Sequence, residues 1–184
     1  LFQQRLRLGL TLRPRCIFHQ GACSDTLEWD AEYMMKNNYS FSQRLLEFAE
    51  KNSIAFIYAS SASVYGDAKK FEEIRENENP INLYAFSKYL FDQLIRQKIN
   101  NSNIQIVGLR YFNVIPLRWM IEQYDREGHI ELFEGSKEIK RDFVDVKTAL
   151  WMTINAMTKG RSGIYNIGTG TTKSFYDLAL DIVE

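Results

Sequence analysis

The sequence predicts an α/β protein with a Rossmann-like, doubly wound parallel sheet. Three observations lead to this prediction. Short apolar runs alternate with stretches of helical period from Arg15 onward, as they do in parallel α/β sheets. Small and hydroxyl-bearing residues follow two of the apolar runs, at the sheet edge where such folds bind ligands. The 184 residues are 45% hydrophobic, which is enough to bury a core.

The first part of the chain supplies two strands and one long helix. Cys16–His19 is a short strand of buried type, and the small residues Gly21–Ser24 follow it. A helix is predicted from about Asp30 to Lys51, because its methionine, phenylalanine and leucine side chains form one broad apolar face. A second strand covers Ile54–Tyr58, and the loop Ser60–Gly66 lies at its carboxyl end.

The second part continues the alternation of strands and helices. A turn-rich, charged stretch at Asp67–Asn82 leads into a helix over Tyr84–Lys98, and Ile104–Tyr111 is the next strand. Gly163–Gly170 predicts a strand that ends in a turn. A last helix begins near Ser174.

Composition excludes several classes of protein. Lys and Arg total 23 and balance the 23 Asp and Glu, so no net charge attracts nucleic acid or an anionic membrane. Cys16 and Cys23 are too few for a disulfide framework and lack CxxC spacing, so we expect no metal site and a reducing, cytoplasmic location. No apolar run approaches the roughly 20 residues that span a bilayer, so we expect no membrane partner.

Residues 1–15 differ from the rest, because leucines alternate there with arginines and no acidic residue occurs. The alternation has the period of a strand rather than of a helix, which disfavours a targeting segment. We interpret residues 1–15 as an atypical basic leader or remnant ahead of the domain.

The spacing Tyr-x-x-x-Lys occurs twice. Tyr84 and Lys88 lie inside a good helical pattern, so they share one face of the helix. Tyr65 and Lys69 have the same spacing, but Gly66 and its neighbour Asp67 interrupt any helix there, so these two side chains need not share a face. An exposed tyrosine and a solvated lysine on a helix surface is the alternative interpretation of the first pair.

The chemistry explains why these residue types would occur together. A tyrosine with a pKa of about 10 is a poor base at neutral pH, and a nearby ammonium together with a positive nicotinamide would lower that pKa. Lys88 would supply the ammonium and bind ribose hydroxyls of the cofactor. A hydroxyl at Ser61 would orient the substrate oxygen whose proton Tyr84 takes.

Several further segments carry a family resemblance that extends from Cys16 to Leu180. They resemble the extended short-chain dehydrogenase/reductases of the NAD-dependent epimerase/dehydratase family, and among these the ADP-L-glycero-D-manno-heptose 6-epimerases. The most specific segments are Phe18-His-Gln-Gly-Ala-Cys-Ser24, Glu28-Trp-Asp30, Tyr33-Met-Met-Lys-Asn-Asn-Tyr39, Tyr58–Gly66, Arg110-Tyr-Phe-Asn-Val114, Leu132-Phe-Glu-Gly-Ser136 and Lys140-Arg-Asp-Phe-Val144.

The resemblance implies a role for each matching position. Tyr84 would be the acid/base, with Ser61 and Lys88 as its catalytic partners. NADP would be bound by Gln20, Gly21, Ala22, Cys23, Ser24, Asn37, Lys88 and Val114. Substrate would be bound by Asn113, Phe133, Glu134, Gly135, Ser136 and Arg141. A guanidinium suits a diphosphate because its fork bonds two oxygens at once; an ion pair of Arg141 with Asp142 or Asp145, and a buried Asn113 that bonds the backbone, are the alternatives.

The same resemblance implies the activity. The enzyme would interconvert ADP-D-glycero- and ADP-L-glycero-D-manno-heptose by transient NADP-dependent oxidation at C6, in the synthesis of lipopolysaccharide core heptose precursors. Residues 16–129 would form a partial NADP-binding domain, and residues 130–184 a partial substrate domain with a returning strand and helix. A homo-oligomer is implied as well.

Two pieces of the family pattern do not occur in the sequence. No GxGxxG opens a βαβ unit, and Gly168-Thr-Gly170, the nearest match, follows a late strand and is interpreted as a structural turn. After Val114 the sequence passes directly to Ile115–Met120, whereas the family has a loop there with a second catalytic lysine. Arg118 is too basic to replace that base. The choice of NADP over NAD therefore rests on the resemblance alone.

Three functions stay open at this point. The first is a heptose epimerase whose remaining pieces lie outside this sequence, and the second is a truncated, noncatalytic member that acts as a binding module. The third is another NAD(P)-dependent sugar-nucleotide epimerase or a dehydratase. The heptose-type segments disfavour a hexose epimerase, and the residues after Ser61 lack the Thr-Asp-Glu set of a dehydratase.

Overall fold

A computed structural model of the chain describes residues 14–115 and 118–183. It confirms the predicted α/β class with a parallel sheet. Most of the leader predicted at residues 1–15 lies outside the described residues, as does the side chain of Arg118. None of the helices within the described ranges combines the length and apolarity that crossing a membrane requires.

From Cys16 to Tyr111 the elements follow one another in the predicted alternation, whereas the sequence analysis assigned no strand or helix between residues 112 and 162. The strands are β1 (Cys16–His19), β2 (Ala55–Ser61), β3 (Ile106–Tyr111), β4 (Asn113–Ile115), β5 (Lys140–Arg141), β6 (Phe143–Asp145), β7 (Gly163–Ile167) and β8 (Lys173–Ser174). The α-helices are α1 (Ala31–Met34), α2 (Phe41–Lys51), α3 (Leu83–Lys98), α4 (Arg118–Glu127), α5 (Val146–Lys159) and α6 (Phe175–Val183). A π-helix at Met35–Ser40 joins α1 to α2, and 3-10 turns cover Ala62–Tyr65 and Arg75–Asn77.

The chain forms two compact units, the first of which comprises Leu1–Arg110 and Thr153–Tyr165. The four-stranded sheet has the order β1-β2-β3-β7, and β1 pairs with β2 in parallel, from Cys16 opposite Ala55 to His19 opposite Tyr58. Apolar side chains of α2, β2, α3 and β3 form the core: Leu46, Phe56, Tyr58, Phe91, Ile95 and Ile106 are all at most 2% exposed.

Helix α3 begins where the sequence supplies a cap. The Asn82 side chain accepts the backbone N–H of Ala85 at 2.8 Å, which satisfies one of the free donors at a helix start. Arg96 and Lys98 in the last turn suit the negative end of the helix dipole. The cap places Tyr84 in the first turn and Lys88 one turn later.

A glycine closes the turn that follows β2. Gly66 has a φ of +59°, and a Cβ at this position would lie 1.9 Å from the Asn79 carbonyl oxygen. No other residue fits so close to this backbone. The Val64 carbonyl accepts the Asn79 N–H at 2.9 Å, so the 3-10 turn after β2 is joined to the segment that leads into α3.

The second unit comprises Tyr111–Met152 and Asn166–Glu184. Strands β4 and β6 pair in parallel, and β5 pairs antiparallel with β8. The Asp142 carboxylate closes the turn at Gly168–Gly170, because it accepts the N–H groups of Thr169 and Gly170 at 2.8–2.9 Å. The sequence interpretation of this segment as a structural turn agrees with these bonds.

Two elements differ from the sequence expectation. The helix predicted from Asp30 to Lys51 contains the π-helical segment, which periodicity alone did not indicate. Strand β2 continues to Ser61 rather than ending at Tyr58, so the loop predicted at Ser60–Gly66 is replaced by strand and a 3-10 turn. The domain boundaries at residues 15 and 129 stay a prediction.

Candidate functional site

The first unit brings the three predicted catalytic side chains together. Ser61 is the last residue of β2, and its hydroxyl hydrogen-bonds the phenol of Tyr84 in the first turn of α3. The same hydroxyl accepts the Ser63 N–H at 3.1 Å, which fixes its position. The Lys88 ammonium lies 6.0 Å from the centroid of the Tyr84 ring. The Ser61 hydroxyl, the Tyr84 phenol and the Lys88 ammonium therefore lie close together at the carboxyl end of β2.

Lys88 is buried, with only 7% of its surface exposed. Its Nζ donates to the Ala59 carbonyl at 2.7 Å. Burial lowers the pKa of Lys88 to about 8, although the negative charge of Asp92 acts to raise it. The solvated lysine that was the alternative interpretation of this residue is therefore not what the structure contains. An ammonium with two remaining hydrogens suits a role in binding hydroxyl oxygens.

Tyr84 differs from the sequence expectation in its electrostatics. Burial raises its pKa, the hydrogen bond from Ser61 opposes that change, and Cys23 adds to it. The expected lowering of the Tyr84 pKa by the Lys88 ammonium does not occur in the chain alone. The free-energy cost of burying a phenolate exceeds the stabilisation that these neighbours provide. A positive charge beyond that of Lys88 would be needed to form the phenolate at neutral pH.

The predicted cofactor loop follows β1. Gln20, Gly21, Ala22 and Ser24 are exposed, and Cys23 is half-buried. A Cβ added to Gly21 would meet no atom within 4 Å, so the space above this peptide is open.

Asn37, the other cofactor residue predicted in this unit, lies in the π-helix. It is half-buried, and its amide donates to the Tyr33 carbonyl at 2.8 Å.

The second Tyr-x-x-x-Lys match is not a pair in space. Tyr65 ends a 3-10 turn, is fully buried and lies with its ring 4.9 Å from the guanidinium carbon of Arg110, whereas Lys69 is exposed. Gly66 and the following turn separate the two side chains, as the sequence indicated.

Sequence reasoning missed the buried carboxylate beneath the site. Asp92 is fully buried and accepts hydrogen bonds from Tyr58 at 2.8 Å, from Ser60 at 2.9 Å and from Arg110 at 2.8–2.9 Å. A signal was present in the sequence: Asp92 lies next to Phe91 and three residues before Ile95, both of which face inward on this helix, and a charge there needs a buried partner.

His19 was also missed, although it ends β1. Its Nε2 lies 2.7 Å from the Ser42 hydroxyl, and burial, together with the charge of Lys88, lowers the pKa of His19 to about 4. The imidazole is therefore neutral at neutral pH.

In the second unit, β4 carries two predicted residues. Asn113 is exposed, and its backbone N–H donates to the Asp142 carbonyl at 3.1 Å, so it is not the buried amide of the alternative interpretation. Val114 is half-buried and pairs with Val144.

The segment Phe133–Ser136 forms a turn. The Ser136 N–H donates to the Phe133 carbonyl at 3.1 Å, Gly135 has a φ of +87°, and the Phe133 ring packs 5.0 Å from that of Phe175. Glu134 is exposed and Ser136 is buried.

Arg141 is exposed, and its guanidinium donates to the Lys140 carbonyl at 2.8 Å. Asp142 and Asp145 bond backbone groups instead, so within the described residues Arg141 forms no ion pair with either. A cavity of about 270 Å³ in this unit is lined by other residues, among them Ile115, Phe143 and Lys173.

Comparisons with known proteins agree with this architecture. The model of the NAD dependent epimerase/dehydratase family matches residues 4–168. The structure of Helicobacter pylori ADP-L-glycero-D-manno-heptose-6-epimerase is similar at a TM-score of 0.84 and 33% identity, over 96% of this chain and 60% of that one.

Two UDP-glucose 4-epimerases share the fold. The Thermotoga maritima enzyme with UDP-glucose matches at a TM-score of 0.83 and 24% identity, over 98% of this chain and 63% of that one. The Thermus thermophilus enzyme in complex with NAD matches at 0.80 and 22%, over 96% and 63%. The chain thus spans about three fifths of the length of these proteins. Because the family model covers most of it, the chain belongs to the NAD-dependent epimerase/dehydratase family.

Proposed function

We propose that the protein is an NADP-dependent epimerase that interconverts ADP-D-glycero- and ADP-L-glycero-D-manno-heptose at C6, in the synthesis of lipopolysaccharide core heptose precursors. The observation that carries this proposal is the joint placement of Ser61, Tyr84 and Lys88 at the carboxyl end of β2. The heptose-type segments and the 33% identity to the Helicobacter pylori enzyme support the substrate.

The described residues fit a nicotinamide dinucleotide. The loop Gln20–Ser24 and Asn37 would hold it, the open space above Gly21 admits a ligand, and the buried ammonium of Lys88 would bond the ribose hydroxyls. The resemblance adds Val114 to the residues that would contact the cofactor. When bound, the nicotinamide accepts a hydride from the substrate and later returns it. The choice of NADP over NAD is part of the proposal, because the name of the matching family mentions only NAD.

The proton that leaves the substrate hydroxyl as its carbon gives up the hydride would go to Tyr84. In the chain alone burial holds the pKa of Tyr84 above its ordinary value, so two positive charges, on Lys88 and on the bound cofactor, would be needed to favour the phenolate. Ser61 would orient the hydroxyl. On the return half-reaction the phenol would give the proton back.

Inversion at C6 needs a proton donor on each face of the carbonyl, because one group cannot reach the oxygen in both orientations. Tyr84 supplies one face. The resemblance assigns the other to a lysine in the loop that follows Val114 in the family.

The substrate diphosphate would be held in the second unit. Arg141 has no carboxylate partner among the described residues, so its guanidinium is available for two phosphate oxygens. Asn113 and the turn Phe133–Ser136 would complete the contacts. The expected assembly is a homo-oligomer.

A second candidate is a UDP-hexose 4-epimerase, which the fold match to the Thermotoga maritima enzyme favours. A noncatalytic binding protein is the third. Incubation of the protein as it occurs naturally with each ADP-heptose epimer and with UDP-glucose, followed by chromatography, separates all three. Conversion of UDP-glucose but not of ADP-heptose would contradict the proposed substrate, and binding without conversion would contradict an enzyme.

The role of Tyr84 has its own test. We expect Tyr84→Phe to lower turnover by roughly 100-fold or more, because it removes the proton acceptor, and to leave NADP affinity unchanged. Tyr89→Phe on the same helix is the matched control, since Tyr89 stacks on Phe86 and should keep full turnover. Turnover of Tyr84→Phe equal to that of the control would exclude Tyr84 as the acid/base.

A further inference from the structure

The 3-10 turn Ala62–Tyr65 begins directly after Ser61 and places a second hydroxyl, that of Ser63, beside the Ser61 hydroxyl. Ser61 caps this turn, because its Oγ accepts the Ser63 N–H at 3.1 Å. The two Oγ atoms also lie 3.1 Å apart, with Ser61 as the donor. Ser61 is only 8% exposed and Ser63 is half-buried. The proposed function gives a role to the first of these hydroxyls and none to the second.

The Ser61 hydroxyl has one hydrogen to donate and two lone pairs with which to accept. Two oxygens compete for this hydrogen. One is the Ser63 Oγ, and the other is the Tyr84 phenol oxygen, which also hydrogen-bonds the Ser61 hydroxyl. The Ser63 N–H already occupies one lone pair of the Ser61 Oγ. The direction of the bond between Ser61 and Tyr84 therefore depends on which oxygen receives the Ser61 hydrogen.

The protonation state of Tyr84 decides between the two arrangements. A phenol donates to the second lone pair of Ser61, so the Ser61 hydrogen stays on Ser63 and both bonds are kept. A phenolate only accepts, so the Ser61 hydrogen must turn from Ser63 to Tyr84, and the bond to Ser63 is lost. The Ser63 hydroxyl therefore favours the protonated form of Tyr84.

We propose that Ser63 is a positioning residue, which holds the Ser61 hydrogen away from Tyr84 as long as Tyr84 keeps its proton. It acts through Ser61 and needs no contact with substrate. In the proposed reaction this preference favours the half in which Tyr84 returns a proton and opposes the half in which it accepts one. That consequence rests on the proposed function, whereas the competition for the Ser61 hydrogen follows from contacts within the chain.

Other titratable groups also surround the phenol of Tyr84. Lys88 lies one turn further along α3, Cys23 acts on the phenol from the loop after β1, and His19 ends β1 near Lys88. Tyr65, the titratable residue of the 3-10 turn, lies against a guanidinium instead. Removal of one hydroxyl from the turn leaves all of these groups in place. A change in the pKa of Tyr84 would then report the loss of that hydroxyl.

The test is a titration of the Tyr84 phenol in Ser63→Ala, which lacks the competing oxygen but keeps the backbone N–H that binds Ser61. Labelling with a ring-fluorinated tyrosine lowers the pH at which the phenols ionise, so fluorine NMR follows them in the folded protein without ligands. The Tyr84 signal is the one that is missing in Tyr84→Phe. We expect the pKa of Tyr84 in Ser63→Ala to lie about half a pH unit below that in the wild type.

Two further variants show whether the hydroxyl is responsible. Ser63→Thr restores a hydroxyl at the same position and should titrate as the wild type does. Ser40→Ala changes an exposed serine whose side chain makes no capping bond, and this matched control should also titrate like the wild type. An unchanged or raised pKa of Tyr84 in Ser63→Ala, or an equal fall in Ser63→Thr, would overturn the role of Ser63.

The pH dependence of ADP-heptose conversion is the second measurement. We expect the acid limb of kcat to move to lower pH in Ser63→Ala by a similar amount, because Tyr84 would accept a proton at lower pH. The KM should stay that of the wild type. An acid limb that does not move in an active variant would overturn the proposal. A lower pKa of Tyr84 in a protein that converts no ADP-heptose would support the role of Ser63 and contradict the proposed function instead.

Discussion

The site depends on single residues whose charge states are set by burial. His19 donates from Nε2 to the Ser42 hydroxyl, because Ser42 gives its own hydrogen to the Asn38 carbonyl at 2.5 Å. A proton on the other ring nitrogen would place a second positive charge near Lys88 in a site with little water. Both effects favour the neutral imidazole, and they lower the pKa of His19 to about 4.

A pH dependence of stability follows from His19. Between pH 6.5 and pH 4 the unfolded chain binds more protons at this position than the folded one, so stability falls as the pH falls through that range. From pH 7.5 to pH 5 the wild type should lose about 2 kcal/mol more of its free energy of unfolding than His19→Gln does. Urea denaturation at the two pH values measures the difference.

The control is the other histidine of the chain. His129 has a side chain that is 60% exposed, so His129→Gln should retain the pH dependence of the wild type. If His19→Gln retained it as well, His19 would not be the group responsible.

At the scale of elements, one buried ionic network joins β2, α3 and β3. Asp92 of α3 receives the hydroxyls of two β2 residues and the guanidinium of Arg110 from β3, and Arg110 also binds the Glu78 carboxylate. Burial raises the pKa of Asp92 despite these partners, so the ionised form is held at a cost. The network fixes the strand end that carries Ser61 and Ala59 relative to the helix that carries Tyr84 and Lys88.

Removal of Asp92 should show how far the stability of the fold depends on this network. We expect Asp92→Ala to lower the free energy of unfolding by about 3–5 kcal/mol, because it leaves the Arg110 charge without its main partner in a buried place. The matched control is Lys98→Ala, which breaks a partly exposed pair with Glu50 and should cost at most about 1 kcal/mol. Chemical denaturation of both variants is the measurement, and equal losses would argue against the network as the link between these elements.

At the scale of the whole molecule, the sequence predicted those helices, strands and residue pairs that depend on local sequence pattern. The Tyr84 and Lys88 pair follows from helical period, and Cys16–His19 follows from a short apolar run. His19 and Asp92 could not be assigned in this way, because whether a polar side chain is buried depends on partners far along the chain. The raised pKa of Tyr84 likewise reflects burial that no short motif reports.

The two compact units lead to a prediction about ligands. The proposed cofactor loop belongs to the first unit, whereas Phe133–Ser136 and Arg141 belong to the second. Hydrogen exchange followed by mass spectrometry should show NADPH alone protecting peptides from residues 20–24, and an ADP-sugar adding protection at residues 133–141.

Arg141→Ala should affect the binding of the ADP-sugar but not that of NADPH. Loss of a charge-assisted bond to a phosphate costs about 1.5–3 kcal/mol, so this variant should weaken ADP-sugar binding by roughly 10- to 100-fold. Its NADPH affinity should stay that of the wild type. Lys140→Ala, at the neighbouring exposed position, is the matched control and should bind both ligands normally. Equal loss of both affinities by calorimetry would mean that Arg141 supports the fold rather than the substrate diphosphate.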